Sequence, residues 1–279
     1  MSFFGLQRRG CIQRLSCALS VGLAMACIAS APTSLAAQAP LAGGLPGSWV
    51  EVNGFAQKVS NNFGDWSGVY ARGVRAGTTR TLYGEVLALD AFKDHGLQFG
   101  ATIRQDWKAR VFAVLGANVG SGAPILPKGR VDGVLGVRFG SRKEWQLTGG
   151  ASYVKSTTEL HDVAGTASLA WYAPKVLLLE TGVRLNTSNP GDIKSHRVFG
   201  VAVITPSPRR SFSLRGIGGT EGWQIVSNTT TLRKFSSEEF SIAWREKLTK
   251  NWALSAQGDM YRNPFYTRRG VTLGVARYW

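Results

Sequence analysis

The sequence predicts an all-β protein: a transmembrane, antiparallel, up-and-down β-barrel of about 14 strands. Three observations carry that prediction. Apolar and polar residues alternate with period two in one segment after another. Turn-forming residues separate the segments in a short–long rhythm. The last ten residues, Gly270 to Trp279, are themselves a strand that stops on an aromatic. There Val271, Leu273 and Val275 share one face, and Thr272, Gly274 and Ala276 the other. Soluble domains usually fray into polar tails, so a terminal strand has to be paired.

The first segment reads as an export signal over residues 1–36. Arg8, Arg9 and Arg14 supply a basic start, Cys17 to Ile28 an apolar stretch, and small residues then lead to a cut after Ala36. A cut after Ala39 would place Pro40 beside the scissile bond. The apolar stretch is short for a membrane span of roughly 20 residues. Residues 37–47 form a short flexible periplasmic lead-in, and residues 48–279 the barrel. Cys11, Cys17 and Cys27 all lie in the signal, so neither a disulfide framework nor thiol chemistry is expected downstream. Beyond Ala36 the chain holds thirty Lys and Arg against seventeen Asp and Glu, a net charge of +13. Export argues against nucleic acid as the partner of that charge. Lipopolysaccharide phosphates and an acidic cargo remain.

Fourteen strand-like segments follow, centred near residues 53, 71, 84, 100, 112, 135, 150, 167, 181, 200, 214, 242, 256 and 274. Several alternate cleanly. Leu97, Phe99, Ala101 and Ile103 oppose Gln98, Gly100, Thr102 and Arg104; Leu177, Leu179, Val183 and Leu185 oppose Glu180, Gly182, Arg184 and Asn186. Phe240, Ile242 and Trp244 oppose Ser241, Ala243 and Arg245, and Trp252, Leu254, Ala256 and Met260 oppose Ser255, Gln257 and Asp259. Twelve or sixteen strands stay open, because Trp223 to Lys234 reads either as loop or as extra strand.

Tight links are expected near Ala76–Thr79, Gln105–Trp107, Ser141–Glu144, Ala173–Lys175, Pro206–Arg209 and Thr249–Asn251. Long loops are expected at Asn118–Gly129, Thr187–Ser195 and Gly219–Glu238, each rich in Gly, Pro, Ser or Asn. An even count brings both ends of the barrel to one side. Trp107, Trp145 and Trp252 are read as starting strands after tight turns, and Phe139, Tyr172 and Trp279 as ending them. Together they make a girdle of amphipathic rings at the lipid headgroups.

A soluble sandwich would also alternate, but it would show water a charged exterior. Here the less apolar face is sparse in charge and rich in Gly, Ser, Thr and Gln, as a lumen would be. An open sheet in lipid would leave backbone N–H and C=O groups unpaired at several kcal/mol each, so the sheet must close.

With the strands placed, three stretches resemble the YaiO-type outer-membrane β-barrel family. They are Gly64-Asp65-Trp66-Ser67-Gly68-Val69-Tyr70, Leu126-Pro127 with Val131 to Gly140, and the final hairpin from Asn251-Trp252 through Asn263-Pro264 and Tyr266 to Gly274. The resemblance implies an outer-membrane barrel whose closing strand is read by the barrel-assembly machinery. It also implies, by analogy with related domains, a link to polysaccharide export. One departure stands out. Closing strands in such barrels most often end in Phe with Tyr two before it, whereas Arg277 here precedes Tyr278-Trp279.

No catalytic motif is found. His95, His161 and His196 fall near the far rim without a local nucleophile, and no metal-ligand spacing occurs. Neither enzymatic activity nor a cofactor is expected. The informative constellation is a row of pore-lining candidates: Arg104, Arg138, Arg184, Arg215 and Arg245 with the fewer acids Asp132, Glu180 and Asp259. Guanidinium forks match carboxylate and phosphate, so such a lumen would pass anions or acidic saccharides. An internal Arg–acid network that only braces the barrel is the competing reading. A third is a plugged barrel whose loops bind a partner or lipopolysaccharide.

Overall fold

The computed structural model describes residues 47–279 except 109, 124, 157–158, 174–175 and 228–229. The export signal and nearly all of the lead-in therefore lie outside the described residues. The described chain is strand and turn throughout. Its strands are β1 (Trp49–Val59), β2 (Trp66–Ala76), β3 (Arg80–Ala91), β4 (Asp94–Trp107), β5 (Val111–Gly122), β6 (Pro127–Phe139) and β7 (Trp145–Ser156). Then follow β8 (His161–Tyr172), β9 (Leu177–Asn189), β10 (Ile193–Ser207), β11 (Arg210–Ile225), β12 (Thr231–Lys247), β13 (Trp252–Arg262) and β14 (Thr267–Tyr278). Every expected centre falls inside one of these strands. Each strand pairs antiparallel with its sequence neighbours, and β1 pairs with β14 to close the barrel. That seam runs from Trp49 opposite Tyr278 to Val59 opposite Arg268, and Trp279 N–H donates to the Ser48 carbonyl just beyond it.

Alternation decides what faces where. Val50 and Val52 of β1, Leu97, Phe99 and Ile103 of β4, and Val271, Leu273 and Val275 of β14 are exposed on the outer wall. Their neighbours Glu51, Asn53, Thr102, Arg104 and Thr272 are buried inside it. An apolar exterior around a polar interior is the reverse of a water-soluble barrel, and it is what lipid selects.

Two local expectations are corrected. The three segments read as long loops are mostly strand. β5 runs to Gly122 and β6 starts at Pro127; β9 ends at Asn189 and β10 starts at Ile193. Trp223 pairs with Arg233 and Ile225 with Thr231, so that segment lengthens β11 and β12 without adding strands. Polar, Gly-rich sequence pairs there because the ladder satisfies its backbone groups in water as readily as in lipid. Gly219 permits the register to continue: at φ +144° it sits with its α-carbon against the His196 carbonyl, where a Cβ would lie 2.2 Å from that oxygen. The second correction concerns Gln105 to Trp107, read as a tight link. These residues belong to β4, and the turn follows at Lys108, which takes φ +49°. Trp107 therefore ends a strand.

Charge is unevenly placed. At the end holding Trp49 and Tyr278, the terminal rim, stand ten exposed cations: Arg75, Arg80, Lys108, Arg110, Arg142, Lys143, Arg209, Arg210, Lys250 and Arg277. Outside the lumen, among the described residues, only the acidic side chains of Glu144 and Glu246 oppose them there. The far rim is closer to balance, with Lys58, Lys93, Lys128, Lys155, Lys194, Arg233, Lys234, Arg262 and Arg269 facing Asp65, Asp90, Asp94, Glu159, Asp192 and Glu238.

Candidate functional site: a constricted, charged lumen

All eight pore-lining candidates lie on the inner face. Arg104, Arg184, Arg215, Arg245, Asp132, Glu180 and Asp259 are buried, and Arg138 is half-buried. Their pairing is organised in clusters along the wall. Near the terminal rim, Glu51 of β1 is held by Arg245 of β12 and by Arg72 of β2 at 3.4 Å. Arg245 also donates to the Tyr278 hydroxyl at 2.8 Å, and Ser255 donates to Glu51 at 3.0 Å. Further round the wall Arg104 of β4 grips Asp106 through two hydrogen bonds of 2.8 and 2.9 Å, with Arg138 3.4 Å from the same carboxylate. The Phe112 ring lies under both guanidinium groups, 3.9 Å from that of Arg104.

Toward the far rim, Arg130 and Asp132 form a fork with two bonds of 2.7 Å. Arg197 of β10 stands 3.8 Å from Glu221 and 3.7 Å from Glu239, and Arg215 lies 4.0 Å from Glu239. Tyr261 donates to Glu221 at 3.1 Å, and Gln57 to Asp259 at 2.9 Å. Arg184 has no carboxylate within 4.0 Å among the described residues and donates to Ser152 at 2.9 Å. Arg268 is sandwiched by aromatic rings, 4.3 Å from Trp66 and 5.1 Å from Tyr261.

Reading the sequence missed half of this network. Glu51, Arg72, Asp106, Arg130, Arg197, Glu221, Glu239 and Arg268 are inward yet absent from the expected set. Arg197, Glu221 and Glu239 lie in or beside segments read as loops, where face assignment lapses. Glu51 could have been found, since it alternates with the outward Val50 and Val52. With these acids counted, the interior arginines are largely matched.

Apolar packing flanks this ionic middle, as a broad cluster at the far end and as a smaller patch of wall at the terminal end. At the far end Trp66, Tyr70, Leu89, Phe92, Leu126, Val226, Phe235, Tyr261 and Tyr266 form one buried cluster, joined by Phe63. It draws on five of the seven hairpins at that end, β1–β2, β3–β4, β5–β6, β11–β12 and β13–β14, and β7–β8 and β9–β10 do not join it. Phe63, Trp66, Phe92 and Tyr266 interlock with centroid separations of 4.8 to 6.1 Å. Burial among them pushes the Tyr266 hydroxyl, which lies in the β13–β14 turn, far above the usual tyrosine range. At the terminal end Trp49, Val74, Ala253, Ala276 and Tyr278 make a second cluster beside the seam. Through the height of the wall, every described inward side chain is buried or half-buried.

Of the expected interface aromatics, Trp107, Phe139, Trp252 and Trp279 are exposed on the outer wall, and Trp145 stacks with Phe139 and Trp171 at 6.4 and 6.2 Å. Tyr172 is the exception. It packs on the inner cluster of Ala170, Leu178 and Phe199, and its neighbour Trp171 takes the lipid side, because alternation admits only one of the two. His95, His161 and His196 lie near the starts of three different strands, β4, β8 and β10, on the outer face, and no metal-binding cluster occurs among the described residues.

A closed 14-stranded antiparallel sheet, apolar outside and polar within, defines a membrane β-barrel of the porin-like outer-membrane type. The comparisons with known proteins agree. Residues 49–224 match the YaiO membrane beta barrel domain, and the chain belongs to that family. Among solved structures it is similar to the outer membrane protein Omp33 of Acinetobacter baumannii: 10% identity, 84% of this chain, 99% of that one, TM-score 0.50. It is likewise similar to a bacterial polysaccharide outer membrane secretin: 8% identity, 83% of this chain, 98% of that one, TM-score 0.51. These likenesses concern the fold. No curated protein sequence matches the chain.

Proposed function

We propose that this protein is an outer-membrane barrel closed at rest, whose rigid hairpins at the far rim present a binding surface to the cell exterior. The carrying observation is the filling of the lumen: an apolar cluster joins five far-rim hairpins, ion pairs lie below it, and no inward side chain of the wall is exposed among the described residues. An open 14-stranded pore would leave its lining polar groups to water. The β11–β12 hairpin supports the exterior surface, since eight residues of β12 beyond Phe240 continue as paired strand, roughly 25 Å of extension. In this reading residues 1–36 are removed on export, the terminal rim faces the periplasm, and Trp279 sits at the periplasmic interface for the assembly machinery. Lipopolysaccharide and a cell-surface partner are the ligands proposed for the hairpins. A non-enzymatic role fits three histidines spread over the outer faces of separate strands.

The test is planar-bilayer recording of the refolded barrel. Steady current from the intact protein would remove the proposal, and a silent barrel with loop-dependent partner binding supports it.

A second reading has its own observation. The middle of the interior is lined by charged side chains, and Arg184 there has no carboxylate within 4.0 Å among the described residues. That suits a gated conduit for anions or acidic saccharides, in which opening the cap frees guanidinium groups now held by acids. Voltage- or ligand-induced current with anion preference would favour it over a permanent seal.

A further inference from the structure

Most of the excess positive charge is in neither the lumen nor the far rim. Inside the wall, arginine and carboxylate nearly cancel, and at the far rim six acids answer nine cations. At the terminal rim, among the described residues, ten exposed cations meet two acidic side chains, and of these cations only Arg210, against Glu246, has a side-chain carboxylate within 4.0 Å. Like charges crowded on one ring repel unless counter-anions sit among them. We propose that this rim is a binding collar for the phosphates of anionic phospholipids in the adjoining leaflet.

Direction is what selects lipid over other polyanions. Arg75, Arg80 and Arg277 occupy outward positions of β2, β3 and β14, in the same rows as Val69, Leu82 and Val275. They point radially into the bilayer and away from the barrel axis. The Arg277 guanidinium lies 5.8 Å from the centre of the Trp252 ring, placing it at the level of the interfacial aromatics. Immediately beyond that belt is where headgroup phosphates lie. Long cationic stems reach such phosphates while their methylenes stay against apolar wall. The departure of the closing strand from the usual ending thus acquires a use: Arg277 adds a phosphate ligand beside the aromatic stop. The turn cations Lys108, Arg110, Arg142 and Lys250 continue the ring at the same height. The proposal rests on membrane insertion and is independent of whether the lumen conducts.

The experiment is native mass spectrometry of the refolded full barrel offered equimolar phosphatidylglycerol and phosphatidylcholine of matched chains. Wild-type protein is expected to retain the anionic lipid about fivefold or more over the zwitterionic one, and to lose that preference on raising salt from 0.05 to 0.5 M, as a screened attraction must. Replacing Arg75, Arg80, Lys250 and Arg277 together by Ser should bring the ratio to near parity. Replacing Lys93, Lys128, Lys155 and Lys194 by Ser at the far rim should leave it unchanged. Folding of each variant is checked by heat-dependent gel mobility; should the rim variant not fold, the Lys250→Ser, Arg277→Ser pair and the salt series carry the test. Parity in wild type, a preference indifferent to salt, or equal loss in both variants overturns the proposal. So does parity for the lipids with tight, rim-dependent retention of oligogalacturonate, which would make the collar a glycan-capture surface.

Discussion

Glu51 and Arg245 stand on strands separated by two others around the wall, β14 and β13, yet meet as a buried ion pair inside the barrel. Three strand spacings amount to roughly 14 Å, so the pair is a strut across the lumen. Removing one partner leaves the other charge buried. Glu51→Gln or Arg245→Met alone should destabilise the barrel by about 3 kcal/mol or more, whereas the double replacement should cost clearly less than the two singles summed. Urea unfolding in detergent micelles, followed by tryptophan fluorescence, reads this directly. Additive losses would mean that the two side chains act separately.

Close packing under the Arg104 cluster gives a second expectation. A Cβ on Gly136 would fall 2.1 Å from the Phe112 ring, while one on Gly200 meets nothing within 4 Å. Gly136→Ala should therefore lower stability by about 1–3 kcal/mol, and Gly200→Ala by less than about 0.5 kcal/mol. Phe112→Leu should partly rescue the first by opening room. Equal behaviour of the two glycines would show that the ring yields freely.

The cap offers a test that separates the seal from the turn that carries it. Phe92 takes φ +55° in a two-residue turn, a conformation Asn tolerates well. Phe92→Asn combined with Trp66→Ala should keep the hairpin and remove two interlocked rings. Single-channel recording is expected to go from silent to stepwise current in this variant. Continued silence would place the decisive closure at the terminal cluster around Trp49 and Tyr278.

A pH expectation attaches to the β1–β2 turn. The Lys58 ammonium, with the Val59 N–H, holds the Asp65 carboxyl below its ordinary value. A depressed pKa adds stability that is present above the unfolded value and lost as pH falls through the folded one, so the contact is intact near neutrality and fails only in acid below about 4. Both groups are solvent-exposed, and exposed pairs contribute little. Asp65→Asn should leave the melting midpoint unchanged at pH 7; a marked drop would mean the turn depends on this tether.

The architecture was legible because alternation, turn chemistry and a paired terminal strand are local signals that agree. All fourteen centres rest on that agreement. Strand ends were less legible: outside the bilayer, as from Trp223 to Lys234, pairing continues without the apolar face that announces it. The interior was half legible. Arg104 or Arg184 is recognisable opposite a clean apolar row, but Arg197 meeting Glu221 and Glu239 depends on which strands face one another. Tyr172 and Trp171 illustrate the same limit, since two adjacent aromatics at a strand end give no sign of which one turns outward. The cap was not legible at all, being assembled from five hairpins distant in sequence.

The seam between β1 and β14 joins residues more than two hundred positions apart, and every other ladder joins sequence neighbours. Thirteen hairpin contacts can form early, each closing a small loop, while the outer edges of β1 and β14 wait unpaired. An apolar strand with a bare edge is a template for the wrong partner. The fold thus imposes an order on its own assembly: a curled, unsealed ribbon comes first, its two edges need shielding by something else, and the barrel exists only once residues 267–278 find residues 49–59.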